Sequence, residues 1–316
     1  MKHFLAFLAV GLLAGSTVYA ASVPSCATPG NNNAFLGIQT VRLWPGPAPF
    51  AKGNGCYDIP ALTIFNPPGG AATGSAVIIL PGGGYEDLAG NLEGREVADW
   101  FASRGFKAFI LSYRLPSHGY LLPVPLLDVR RAIQTVRAHA AEYHIAPNRI
   151  VLAGFSAGGH LAALAATKFI PGNPKANDPV DRVSSRPNYL VLGYPWIGAV
   201  STNYSHLNYC KMFHLTAQCA ALQAKYDPDL FVTRQTPPTF IYHTFNDQTV
   251  PIQQSLGFFQ ALVKAGVSTE YHVFASGAHG SGLGKGNLSL DQWPNLLDTW
   301  LRDRGLMTVD KAAVHP

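Results

Sequence analysis

Charge is scarce in this chain of 316 residues: 13% of it is Asp, Glu, Lys or Arg, against 47% hydrophobic and 11% aromatic residues. Disorder requires few apolar residues and high net charge, so it is excluded. Basic runs are absent. The 23 Lys and Arg outnumber the 18 Asp and Glu to give +5, but no stripe gathers them, which argues against a nucleic-acid partner. There are no heptads, no fixed-period repeat and no low-complexity tract, and the 31 Gly and 24 Pro are not periodic, which excludes a collagen-like chain. Neither G-x-x-x-x-G-K-[ST] nor G-x-G-x-x-G occurs, so a phosphate loop and a dinucleotide fingerprint are both missing. The length fits one large domain or two small ones, enough to bury a sizeable core.

Long apolar stretches are lacking too. Residues 1–20 place Lys2 before an apolar run from Phe4 to Ala14 and end in Val18-Tyr19-Ala20. At about 11 residues the run is too short for a hydrocarbon core of ~30 Å, and its positive start and A-x-A-like end describe a secretory signal peptide cleaved after Ala20. The expected protein is therefore secreted or periplasmic, with no membrane attachment once the signal is gone. Cysteine is sparse: Cys26, Cys56, Cys210 and Cys219. They include no C-x-x-C and no histidine at ligand spacing, so disulfides are expected in place of a metal site. Four cysteines allow three connectivities, of which nearness in sequence favours Cys26–Cys56 and Cys210–Cys219.

From about residue 36 strands and helices alternate. Ile59–Phe65 is β-rich and ends in Asn66-Pro67-Pro68-Gly69-Gly70; Ser75–Leu80 is a short apolar run of the kind that makes a buried central strand. Gly94–Arg104 has helical spacing and stops at Gly105, Lys107–Tyr113 is a strand, and Pro125–His144 is the longest helix. Arg149–Ala153, Tyr189–Tyr194, Thr239–Phe245 and Glu270–Phe274 read as strands, and Ser156–Phe169, Pro251–Lys264 and Leu290–Arg304 as helices. Such alternation predicts an α/β fold, helices on both faces of a mostly parallel sheet. The first two strands, with no helix between them, are expected to form an antiparallel edge. Residues 21–316 are expected to be one domain, with a cap-like insertion over about 171–238.

In open parallel sheets ligands bind beyond the carboxyl ends of the strands. Three segments there carry chemistry, the third of them a pair on two late loops. Gly154-Phe155-Ser156-Ala157-Gly158-Gly159 comes directly after a strand and opens a helix of small residues; such a turn lifts a serine Oγ clear of the sheet beside a helix N-terminus. Pro81-Gly82-Gly83-Gly84-Tyr85 comes after the central strand, and the amides of Gly83 and Gly84, with that of Ala157, are candidate donors to a developing oxyanion. Asn246-Asp247 ends one late strand, and His279 stands in Gly277-Ala278-His279-Gly280 after another. The chain order Ser156, Asp247, His279 suits a nucleophile, an orienting acid and a base in this architecture.

Competing residues fit less well. Among eleven histidines, His3 goes with the signal, His160 points away from the serine along its helix, and His243 and His272 read as packing positions within strands. Asp227 and Asp229 fall in the insertion, and Asp291 reads as a helix cap. Tyr85, Tyr120 and Trp196 are candidates for stacking on a sugar ring, each with core packing as its rival. A non-catalytic binding protein on the same scaffold remains open, although it has no need of serine, acid and base together.

The run from PGGGY through GFSAGGHLAA to FNDQTVP and GAHG resembles the α/β-hydrolase superfamily, and within it the secreted carbohydrate esterases grouped with acetylxylan esterase, the dienelactone-hydrolase and prolyl-oligopeptidase-like branch. LWPGPAP, ILSYRLPSHGY and AAEYHIAPNRIVLAGFS extend the resemblance over nearly all of Leu36 to Leu306. Pro81 stands where the lipase-like branch has histidine, which points to the carbohydrate-esterase side. The resemblance implies an eight-stranded-type sheet and a serine esterase needing no metal or cofactor. It implies an ester substrate, carbohydrate-linked and acetylated, with feruloyl or general short-chain esters as the alternative.

Overall fold

Neither face of the central apolar run offers a polar side chain to water, so both must be covered. In the computed structural model, which describes residues 38–198, 208–310 and 312, eight strands and seven α-helices achieve this. In chain order these are β1 (Thr40–Arg42), β2 (Ala61–Phe65), β3 (Ala76–Leu80), α1 (Glu96–Ala102), β4 (Lys107–Ser112), α2 (Val124–Ala138), β5 (Ile150–Phe155) and α3 (Ser156–Thr167). Next come β6 (Tyr189–Gly193), α4 (Tyr209–Met212), α5 (Cys219–Tyr226), β7 (Thr239–Thr244), α6 (Gln253–Lys264), β8 (Thr269–Phe274) and α7 (Trp293–Asp303). The sheet order is β1-β2-β4-β3-β5-β6-β7-β8, antiparallel at β1/β2 and β2/β4 and parallel from β4 onward.

Alternation along each strand divides the core in two. Ile78, Leu80, Leu152, Leu190 and Ile241 face α2, α3 and α6, where Val129, Ile133, Leu161, Leu164, Phe258 and Leu262 meet them. Val77, Ile79, Val151, Val191 and Phe240 face α1 and α7, packing on Val97, Phe101, Trp293, Leu297 and Trp300. The parallel order brings the carboxyl ends of β3, β5, β7 and β8 to one rim, and the four chemistry-bearing loops leave from there.

Several expectations change. The antiparallel edge exists, but β2 does not pair with β3: it lies between β1, a short strand the pattern did not reveal, and β4. The Asn66–Gly70 breaker and the turn after it carry the chain past one strand position, and β4 fills the gap. The stretch 171–238 is not one insertion, because β6 pairs with β5 and β7 inside the sheet. On either side of β6, residues 171–188 and the described residues 208–238 lie outside the sheet. The long helix ends at Ala138, and α1 is preceded by a wide, π-type turn over Gly90–Arg95. Cys210 and Cys219 are joined, their Cα atoms 5.7 Å apart. The expected signal segment 1–20 and the Cys26–Cys56 pairing lie outside the described residues. Among those described no helix is long and apolar enough to cross a membrane.

Candidate active site

The sequence turns from β5 into α3 in one residue, and that residue carries the strain. Ser156 sits at φ +50°, a region that costs a non-glycine residue on the order of 1–3 kcal/mol. Close packing around the turn holds it there. A Cβ on Gly158 would lie 2.2 Å from the Leu80 carbonyl oxygen and 2.5 Å from that of Pro81, so only glycine lets the first turn of α3 press against the end of β3. On the other side Gly83, at φ +124°, lies so near Asp87 that a Cβ would stand 2.2 Å from its carbonyl oxygen. The glycine loop is thus folded tightly over the serine: a Cβ on Gly82 would be 2.8 Å from Ser156 Cβ.

Ser156 Oγ is 2.8 Å from His279 Nε2, and His279 Nδ1 is 2.7 Å from Asp247 Oδ2. The imidazole thus joins a hydroxyl to a carboxylate in one line of hydrogen bonds. Asp247 is fixed at every lone pair. Its Oδ1 accepts from the amides of Thr249 and Val250 at 2.8 and 2.9 Å, and its Oδ2 accepts from His279 and, at 3.2 Å, from His243 Nε2. Burial raises the carboxyl, but the bonds from His243 and His279, the charge at His279 and the Val250 amide outweigh it. Asp247 is held well below the usual carboxylate range. An ionised acid on Nδ1 keeps that nitrogen protonated and leaves Nε2 free to take the serine proton.

Among the described residues, backbone amides without an acceptor lie in the glycine loop and at the start of α3. No acceptor among the described residues takes the Gly83 or Gly84 N–H, and the Ala157 N–H lies in the first turn of α3, where amides have no partner within the helix. The Gly82 amide is different, because it donates to Glu93 Oε2 at 2.6 Å. Among the described residues no group of three or more His, Cys, Asp or Glu is arranged to hold a metal ion.

The sugar-stacking candidates are corrected by burial. Tyr85, Tyr120 and Trp196 are 0, 1 and 0% exposed, so none offers a ring face to a substrate. The Tyr85 hydroxyl is 2.6 Å from His160 Nδ1, while His160 Nε2 donates to the Tyr226 carbonyl at 2.9 Å. The Tyr120 hydroxyl is held between the Lys52 amide and Asp58. Trp196 packs beside Tyr85, and its backbone N–H donates to the Ser156 carbonyl.

One polar residue, Glu93, went unnoticed in the sequence, and another, His243, reads there only as packing. His243 is buried and satisfied, as a packing position must be, yet its Nε2 faces both Asp247 and the Val250 carbonyl, at 3.2 and 2.9 Å. That nitrogen must carry hydrogen, so His243 supports Asp247 from behind. The signal was present: a histidine inside an otherwise apolar strand, four residues before the acid, must find a partner. Glu93, beside the apolar Leu92, gave no such periodic cue.

The BD-FAE family profile matches residues 62–188 and that of the Prolyl oligopeptidase family residues 200–304. The structure superposes on an acetyl ester-xyloside bifunctional hydrolase from Caldicellulosiruptor lactoaceticus with TM-score 0.74 and 36% identity, covering 84% of this chain and 96% of that one. A propionate-bound thermophilic esterase from Thermogutta terrifontis gives TM-score 0.69 and 28% identity over 86% of this chain and 96% of that one. The acetylxylan esterase of Xylanibacter ruminicola is 31% identical over 235 residues, 73% of this chain but 46% of that protein. The chain spans about half or less of the length of the first curated relatives it matches. Fold, site geometry and relatives together place the chain in the α/β-hydrolase superfamily, among its acetylxylan esterase-like serine ester hydrolases.

Proposed function

We propose that the protein is an exported serine esterase that removes acetyl groups from acetylated plant polysaccharide or oligosaccharide. Ser156 is the nucleophile, His279 its base and then acid, Asp247 the orienting partner, and the Gly83, Gly84 and Ala157 amides hold the oxyanion. The observation that carries this reading is the unbroken line Ser156 Oγ–His279–Asp247, with links of 2.8 and 2.7 Å. His279 accepts the serine proton as the Oγ–carbonyl bond forms. The tetrahedral oxygen then takes hydrogen bonds from the glycine amides, each donor contributing about 3–4 kcal/mol to the transition state. Collapse breaks the bond to the alcohol, which leaves with the proton from His279. Water then attacks the acyl-enzyme, giving its proton to His279, which returns it to Ser156 as the acid departs.

The acetyl preference is supported by the named activities of the Caldicellulosiruptor and Xylanibacter relatives. Export is supported by the character of residues 1–20 and by the Cys210–Cys219 bond. Purified protein is expected to hydrolyse p-nitrophenyl acetate, and Ser156→Ala to lose that activity; equal rates in both would reject Ser156 as the nucleophile. Acetate release from acetylated xylan, compared with ferulate release from arabinoxylan, decides the substrate. Ferulate alone would replace the deacetylase reading with a feruloyl one, and small esters alone with a general short-chain esterase.

A further inference from the structure

Glu93 lies in the wide turn before α1 and is 2% exposed. Its Oε2 accepts from the Gly82 amide at 2.6 Å and its Oε1 from the Tyr194 hydroxyl at 2.8 Å. The same Tyr194 oxygen accepts from the Gly282 amide at 3.0 Å, so the phenol proton is committed to Glu93. Each carboxylate oxygen therefore meets a donor, and the ionised form is satisfied without a proton of its own. Gly82 opens the loop that folds over Ser156, and Gly282 belongs to the loop that carries His279. Cβ atoms built on Gly82 and Gly280 would lie 2.7 and 3.8 Å from the two carboxylate oxygens. Tyr194 also packs against the His279 ring, with centroids 4.9 Å apart and planes at 61°.

No Lys or Arg among the described residues pairs with this acid. The groups facing it are the phenols of Tyr194, Tyr113 and Tyr242 and the imidazole of His279. Those facing His279 are Ser156, Asp247, Tyr194 and Glu93, with His243 behind Asp247. Burying a carboxylate with no cation beside it is costly. Here the charge appears in the reaction itself, when His279 becomes an imidazolium.

Resting on the serine-esterase reading, we propose that Glu93 is a positioning residue: its carboxylate fastens the glycine loop, through Gly82, to the histidine loop, through Tyr194, and sets a second negative charge behind the imidazole. Burial raises the Glu93 carboxyl from its ordinary value, while Tyr194, the Gly82 amide and the His279 charge pull it back. Burial and the neighbouring Glu93 charge keep Tyr194 protonated, so it remains a donor. A loose clamp would misplace oxyanion donors and base together, which is where small displacements slow a reaction most.

The test is the pH dependence of kcat and kcat/KM on p-nitrophenyl acetate for wild type, Glu93→Gln and Tyr194→Phe, each checked for native circular dichroism. Glutamine fills the same space but accepts from one donor only and has no charge. Its kcat is expected to fall roughly ten- to hundredfold with KM little changed. The acid limb of kcat/KM is expected to move to lower pH by roughly half a unit or more, because the charge favouring the imidazolium is gone. A merely structural role would leave that limb in place. Tyr194→Phe, which keeps the carboxylate but cuts the tether to Gly282, is expected to lower kcat with little movement of the limb. Glu93→Gln with kcat within about twofold and an unmoved limb would overturn the proposal while the esterase reading stands. If that variant does not fold, an unchanged kcat in Tyr194→Phe overturns it instead. A wild type without esterase activity removes the reading on which the proposal rests, and the proposal with it.

Discussion

Asp247 concentrates more hydrogen bonds than any other side chain at the site, and their arrangement decides what substitution does to it. Four donors converge on two oxygens, two of them imidazoles. Asp247→Asn keeps the shape but turns an acceptor into a donor, so His279 is left with Nδ1 accepting and Nε2 protonated, the wrong tautomer to receive the serine proton. A fall in kcat of roughly 10³–10⁴-fold is expected, with little loss of stability, measured by steady-state kinetics alongside thermal melts. Because the acid is held so low, Asp247 contributes no proton of its own to the acid limb of the rate profile. Ser156, Asp247 and His279 were legible in the sequence because each stands at a strand end beside turn-forming residues. Glu93 was not, because its meaning lies in Gly82 and Tyr194, partners 11 and 101 residues away.

Secondary elements differ in what holds them, and α5 is the weakest case. It has no fully buried residue. Its start is fastened by the Cys210–Cys219 bond and its end by the hydrogen bond from His160 to the Tyr226 carbonyl. Reducing the disulfide should therefore open this segment locally and leave the sheet intact. Hydrogen exchange is expected to accelerate across residues 209–226 in the reduced protein, while β3, β5 and β7 keep their protection; acceleration in the strands would show that the bond secures the whole fold. The central strands β3, β5 and β6 were readable from sequence because they are apolar on both faces, and α7 because Trp293, Leu297, Trp300 and Leu301 recur at helical spacing. The short β1, with all three residues half-buried, carries no such pattern and is made a strand by its register on β2.

At the scale of the molecule, His160 ties three regions together: the glycine loop through Tyr85, α3 through its own backbone, and the end of α5 through Tyr226. Burial drives its pKa down to about 4, so the folded state keeps it neutral while an unfolded chain protonates it near pH 6.5. Between those values the unfolded state binds more protons, so stability rises with pH across this window and is lost on acidification, by on the order of 3 kcal/mol when the whole window is crossed. Urea unfolding at pH 7 and pH 4.5 should give a pH dependence that is more positive in the wild type than in His160→Gln by most of that amount, with Asp128, raised to about 6 by burial, opposing it equally in both proteins. An equal pH dependence in both would remove His160 as its source. The amino-acid sequence alone determined the α/β class, the chain order of serine, acid and base, and the glycine turns that present them, since apolar periodicity and backbone freedom are local properties. Tertiary structure alone decided that β4 separates β2 from β3, that three candidate aromatics are walled in, and that Glu93 stands behind the reacting groups. Burial and hydrogen-bond partnership are set by distant segments, and no local pattern can carry them.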